Sequence, residues 1–144
     1  LTGHTDGLKT AVFSPGSGTV LTTSFDCSAK IWSVESGECL HSLTTDKTSG
    51  RLTMMSSGAF SPCGQHVLTA SMDSRARIWL AESGVCLHTF AAERRSHEQH
   101  VGFSPDGARV FIIGANFAKI WSVESGVCLR SFPFSETVLS WSWH

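Results

Sequence analysis

The chain has 144 residues, 41% hydrophobic, with 11 Lys and Arg against 12 Asp and Glu for a formal net charge of −1. That is enough apolar material for a cored domain, which excludes a disordered or collagen-like chain, and no global positive field is present to gather nucleic acid. No apolar run approaches the roughly 20 residues of a membrane helix, and no charged-then-apolar signal segment opens the chain.

The first predicted unit is four short strands over Lys9 to Phe13, Val20 to Ser24, Ala29 to Val34 and Cys39 to Leu43. The turns between them are marked by Pro15 to Gly18, by Asp26 with Cys27 and Ser28, and by Glu35 to Gly37. Proline presets the first corner of a turn and glycine supplies positive φ, while the runs between these punctuation marks show no helical period. Further along, the same unit returns. Phe13-Ser14-Pro15 recurs at residues 60 and 103, periods of 47 and 43 residues, and Ile31-Trp32 recurs as Ile78-Trp79 and Ile120-Trp121. Glu35-Ser36-Gly37 recurs at 82 and 124, each copy followed two residues after the Gly by Cys and then Leu. From Phe to Cys the spacing is 26, 26 and 25 residues, so the length variation sits in the connectors between units, as expected of loops between rigid blocks.

A period near 40 to 45 residues with four strands per unit is that of a propeller blade. Ile and Trp adjacent in each third strand make both strand faces apolar, which suits a sheet stacked between two others. The expected divisions are residues 1–43, 44–90 and 91–132 as three blades, with 133–144 as the first strand of a fourth.

Gly3-His4 ahead of the first strand, Asp26 six residues before Trp32, and three concordant repeats resemble the WD40 repeats over nearly the whole chain. The resemblance implies an all-β fold of four-stranded antiparallel WD40 β-propeller blades. It also implies a hydrogen-bonded chain of His4, Thr22, Asp26 and Trp32, in which a buried indole N–H and a carboxylate satisfy one another through the intervening groups. The second unit keeps Thr69, Asp73 and Trp79 but has Arg51 at the His position, so its network is expected to be incomplete. The third has Arg94, Ile112 and Asn116 in those places, leaving Trp121 held by packing alone. In none does Asp follow the Trp; Ser33, Leu80 and Ser122 stand there.

Three blades do not close a ring by themselves, since closed propellers use roughly 4 to 8. The expectation is an excerpt of a longer chain whose missing sequence supplies the remaining blades, with self-association as the alternative. Residues of such propellers that meet partners lie just before the turn Asp and three and five residues after the His, here Phe25, Met72 and Ala115, with Gly7 and Lys9, Met54 and Ser56, and His97 and Gln99. The expected partner is therefore a protein or peptide, with no nucleic acid, membrane or cofactor.

Five cysteines without CxxC spacing read as free thiols of a reducing compartment, so a cytoplasmic location is expected. Cys39, Cys86 and Cys128, with His41 and His88 two residues on, read as buried packing repeated once per unit and not as a metal cluster, because the copies belong to different blades. His97 and His100 lack further ligands for a structural metal site. No nucleophile-elbow, phosphate-loop or metalloprotease motif occurs, and a non-catalytic chain is expected. The alternatives are a targeting domain of a larger enzyme, such as a kinase or ubiquitin-ligase component, and a structural subunit of a large assembly.

Overall fold

The computed structural model describes residues 1–45, 53–91 and 99–133. These form twelve strands and no helix. The first sheet contains β1 (Leu8–Phe13), β2 (Thr19–Ser24), β3 (Ser28–Ser33) and β4 (Cys39–Thr44). The second contains β5 (Met55–Phe60), β6 (His66–Ser71), β7 (Arg75–Leu80) and β8 (Cys86–Ala91). The third contains β9 (His100–Phe103), β10 (Arg109–Gly114), β11 (Phe117–Ser122) and β12 (Cys128–Pro133). Each is an antiparallel meander with its strands in chain order. Pro133, placed by its sequence at the head of a fourth unit, closes β12 instead, and residues 134–144 lie outside the described residues.

The meander follows from local chemistry. The β5–β6 and β9–β10 turns need positive φ at one corner, and Gly64 and Gly107 supply it at +77° and +72° without a Cβ penalty. In the first blade Ser17 holds the same place at +57°. The β2–β3 and β6–β7 turns put Cys27 and Ser74 at +71° and +64°. There a short carboxylate helps: Asp26 accepts the N–H of Ser28 and Asp73 that of Arg75, each an Asx-type closure.

Two apolar seams hold the sheets face to face. Leu21, Ala29, Ile31 and Leu43 of the first sheet meet Met55, Val67 and Trp79 of the second. Leu68, Ala76, Ile78 and Phe90 of the second meet Val110, Ile112, Phe117 and Val123 of the third, with Trp121 packed alongside. Ile31 and Ile78 thus point to the following sheet and Trp79 and Trp121 to the preceding one, which is why Ile and Trp stand side by side in the third strands.

Each fourth strand carries a bulge. Ile31 pairs with His41 but Trp32 with Cys39, so Leu40 is an extra residue, and the same shift recurs at Leu87 and Leu129. Repeated bulges bend the outer edge and blunt its capacity to pair with other chains. They also alter the side-chain alternation expected of a regular strand. Cys39 and Cys86 are exposed and Cys128 half-buried, contrary to the packing role expected of them.

Candidate functional site

In an antiparallel meander, successive turns fall at alternate ends of the sheet. The β2–β3 turn and the connector entering β1 therefore share one end, while the β1–β2 and β3–β4 turns lie at the other. Of the groups singled out in the sequence, the tip residues Phe25, Met72 and Ala115 and the turn carboxylates Asp26 and Asp73 belong to the first end.

In the first blade one continuous relay of polar groups leads to Asp26. The Trp32 indole N–H donates to Thr22 Oγ1 at 2.7 Å, the Thr22 hydroxyl lies 2.7 Å from His4 Nε2, and His4 Nδ1 lies 2.7 Å from Asp26 Oδ2. The indole can only donate, so Thr22 Oγ1 accepts from it; the ionised Asp26 carboxylate can only accept, so its bond with the imidazole runs from His4 Nδ1–H to Asp26. Asp26 also accepts the Ser28 hydroxyl at 2.6 Å and the Thr5 N–H at 3.1 Å. Burial works to raise the pKa of Asp26, but the bonds from the Ser28 hydroxyl, the His4 ring and the Thr5 and Ser28 amides outweigh it. The carboxyl is held well below the usual carboxylate range. Gly3 lies flat against the Trp32 ring, where an added Cβ would stand 3.2 Å from it, and the entering segment thereby caps the indole.

The second blade solves the same problem with different residues. Trp79 donates to Thr69 Oγ1 at 2.9 Å. Asp73, however, is served by its own turn: it accepts the Ser71 hydroxyl at 2.6 Å and faces the Arg77 guanidinium at 3.6 Å, while Arg77 Nη1 also donates to Ser71 Oγ at 3.2 Å. Arg77 is buried on β7 and faces Asp73, as His4 faces Asp26 in the first blade. Arg51 lies outside the described residues. Sequence inspection passed over Arg77 because a basic residue in a strand normally reads as solvated. Its signal was the i,i+4 relation to Asp73 without a histidine upstream.

In the third blade the relay is absent among the described residues. Trp121 Nε1 is buried and has no hydrogen-bond partner. Ile112 stands opposite Lys119 as Thr22 stands opposite Lys30, so the hydroxyl position is filled by a hydrocarbon. The turn is one residue shorter, with Gly114 pairing directly with Phe117. Packing against Phe90, centroids 4.9 Å apart, is what holds the indole.

The relay ends at the surface that the tip residues share. Phe25 is 37% exposed and Met72 38%. Each is tied to the neighbouring connector, since the Phe25 N–H donates to Gly7 O at 3.0 Å and the Met72 N–H to Met54 O at 2.9 Å. The Phe25 ring lies against Gly7, and Lys9 Nζ sits 6.0 Å from its centroid. Met54, Lys9 and Ala115 are exposed as well. Lys9 and Ser56 are the extra residues of bulges in β1 and β5; Lys9 is exposed, whereas the Ser56 hydroxyl is buried without a hydrogen-bond partner and is not a surface contact.

Gln99 departs from its expected place. It is 2% exposed with both amide atoms unpartnered, so it is an interior group and not a surface contact. His97 lies outside the described residues, and His100 begins β9. Among the described residues no group of three or more His, Cys, Asp or Glu could hold a metal ion. A groove between the second and third blades, lined by His66, Leu87, His88, Arg109, Val123 and Leu129, opens beside the β9–β10 turn, at the end away from Phe25 and Met72.

Against known proteins, the WD domain, G-beta repeat family matches residues 1–33 and 37–79. The chain belongs to the WD40 repeat family. The same architecture is found in a crystal structure of RRP9 WD40 repeats, with a TM-score of 0.79 and 22% identity over 95% of this chain. A structure of U3-55K gives a TM-score of 0.78 and 23% identity over 94% of this chain. This WD40 chain spans 41% of the length of each of those chains, and at such identity the likeness concerns the fold. No curated protein matches it.

Two outcomes check the relay. In an ordinary core a Thr is worse than an isosteric Val because its hydroxyl loses water, but beside an unpartnered indole it gains a bond of about 1 kcal/mol. Ile112→Thr is therefore expected to melt no lower than Ile112→Val, and a clearly lower melting point for the Thr variant contradicts the assignment. The depressed pKa of Asp26 contributes stability in full above the unfolded-state value of about 4, and this contribution is lost as the pH falls toward the folded-state value. The melting-point advantage of the parent over Asp26→Asn should be widest near neutrality and shrink below about pH 4; an unchanged gap contradicts the sign.

Proposed function

We propose that this WD40 chain is a non-catalytic binding platform that recruits a protein or peptide through the end of its blades bearing the β2–β3 and β6–β7 turns. The observation that carries the reading is the pair of large apolar side chains, Phe25 and Met72, exposed at equivalent turn tips and anchored by backbone bonds to Gly7 and Met54. A rigid backbone beneath an apolar side chain lowers the ordering cost of binding, and a central apolar anchor with a polar rim is how interfaces concentrate their energy. Lys9, Asp6 and Asp73 supply such a rim beside the anchors.

The reading favours a polypeptide over a nucleic acid because the formal net charge is −1. No helix among the described residues is long and apolar enough to cross a membrane. All five cysteines are free, with Cys39, Cys63 and Cys86 exposed, which supports placing the platform in a reducing compartment, the cytoplasm.

Selection of a displayed random-peptide library on the 144-residue chain tests the proposal. The expected result is a consensus with an apolar anchoring residue, bound at least 30-fold more weakly by Phe25→Ala/Met72→Ala, the loss of roughly 2 kcal/mol typical of a central anchor. Peptides that bind parent and double variant equally, with both proteins folded by circular dichroism, overturn it.

A further inference from the structure

The three methionines of the chain divide by position. Met55 is sealed in the seam between the first and second sheets at 1% exposure, whereas Met54 and Met72 are 41% and 38% exposed. The exposed two are neighbours. Met55 pairs with Ser71 in the β5–β6 ladder, and one step further out the Met72 N–H donates to the Met54 carbonyl, so Met54 and Met72 stand opposite one another. Opposed residues of an antiparallel pair project from the same face, roughly 5 Å apart at Cβ. Two thioethers therefore share the tip of the second blade, which has a packed sheet on each side of it.

The backbone under Met72 is held independently of its side chain, since the Ser71 hydroxyl and the Arg75 N–H both donate to Asp73. A chemical change at the sulfur thus alters the surface and not the turn. The first blade has Gly7 and Phe25 in the equivalent places, and neither offers a sulfur.

We propose that Met54 and Met72 form an oxidation-sensitive site, at which a hydroperoxide converts the thioethers to sulfoxides and so weakens the recruitment of a polypeptide at this tip. The inference rests on the tip being the recruiting surface. In the step, a sulfur lone pair attacks one peroxide oxygen, and the S–O bond forms as the O–O bond breaks. Sulfur loses two electrons to the peroxide, and the displaced hydroxide takes the proton of the transferred oxygen and leaves as water. A methionine sulfoxide reductase reverses the change, with a dithiol as reductant and the oxygen released as water. Oxidation replaces a flexible apolar side chain by a polar, chiral one. A sulfoxide oxygen pressed against an apolar partner residue loses its water and gains no donor in return. Met55, enclosed by Leu21, Ile31 and Leu43, has the same chemistry without the access.

Peptides selected on the 144-residue chain for dependence on Phe25 and Met72 serve as the probe. After dilute hydrogen peroxide, tandem mass spectrometry is expected to find an added oxygen on Met54 and Met72 well before Met55. Peptide binding should weaken roughly tenfold or more with the melting point unchanged, and return on treatment with methionine sulfoxide reductase. Met54→Leu/Met72→Leu keeps the apolar volume without the sulfur, so its binding should be insensitive to peroxide. Because Cys39, Cys63 and Cys86 remain exposed in that variant, it also separates thioether from thiol chemistry. Recovery of the parent by the reductase serves if the variant fails to fold. Oxidation of Met55 as fast as the other two, undiminished binding by the sulfoxide form, or an equal loss in the Leu variant overturns the proposal and leaves the recruiting surface standing. A selection that yields no peptide dependent on Phe25 and Met72 overturns the recruiting surface, and the oxidation-sensitive site with it.

Discussion

The stacking of one twisted sheet on the next is the interaction from which the rest of this structure follows. A four-stranded meander with Ile and Trp on opposite faces leaves the Ile face to be covered by the next sheet. The seams formed by Leu21, Ile31, Leu43 and Trp79, and by Leu68, Ile78, Phe90 and Val123, are that solution realised twice, while the entering segment at Gly3 caps Trp32 in the first blade. Hydrophobic burial is non-directional, however, and would not by itself fix how one sheet is rotated on another. Direction across the seams comes from the imidazoles of His41 and His88 resting on Gly84 and Gly126 of the next blade, while the indole bonds fix each blade internally.

The three blades grade from fully relayed to apolar. The first carries the indole bond through Thr22 and His4 to Asp26, the second replaces His4 with Arg77, and the third leaves the Trp121 N–H unpartnered. A buried donor without a partner costs roughly 1 to 3 kcal/mol, and the third blade bears that cost against its contact with Phe90. The relay also positions the surface above it. In the first two blades the Asp anchors the turn directly beside an exposed apolar residue, so the same carboxylate that ends a buried chain of bonds holds the candidate anchor in place. Asn116 makes no such turn, and its neighbour Ala115 offers little surface.

The architecture was legible in the sequence because it rests on spacing: Phe-Ser-Pro, Ile-Trp and Glu-Ser-Gly recur at intervals that only a repeated sheet satisfies. The bond from Trp32 to Thr22 was implied by the resemblance to the WD40 repeats. What escaped was whatever depended on departures from regularity. The bulges at Leu40, Leu87 and Leu129 leave no composition signal, and they are why the repeated cysteines face solvent. Gln99 looked like a contact position by count, yet it is enclosed. Arg77 shows in the sequence only as a basic residue four positions after Asp73, the carboxylate it faces in the fold. The role of His41 required a second blade to be present, since its partner, the Glu82 carbonyl, is 41 residues away and on another sheet.

Solvent exchange of the indole protons, followed by NMR, addresses the stack most directly. With sheets packed face to face and Thr22 and Thr69 accepting, the Nε1 protons of Trp32 and Trp79 are expected to exchange orders of magnitude more slowly than a free indole, at rates tied to opening of the fold. Exchange of both protons at the rate of an unprotected side chain would contradict the stacked arrangement, and with it the placement of every surface described above.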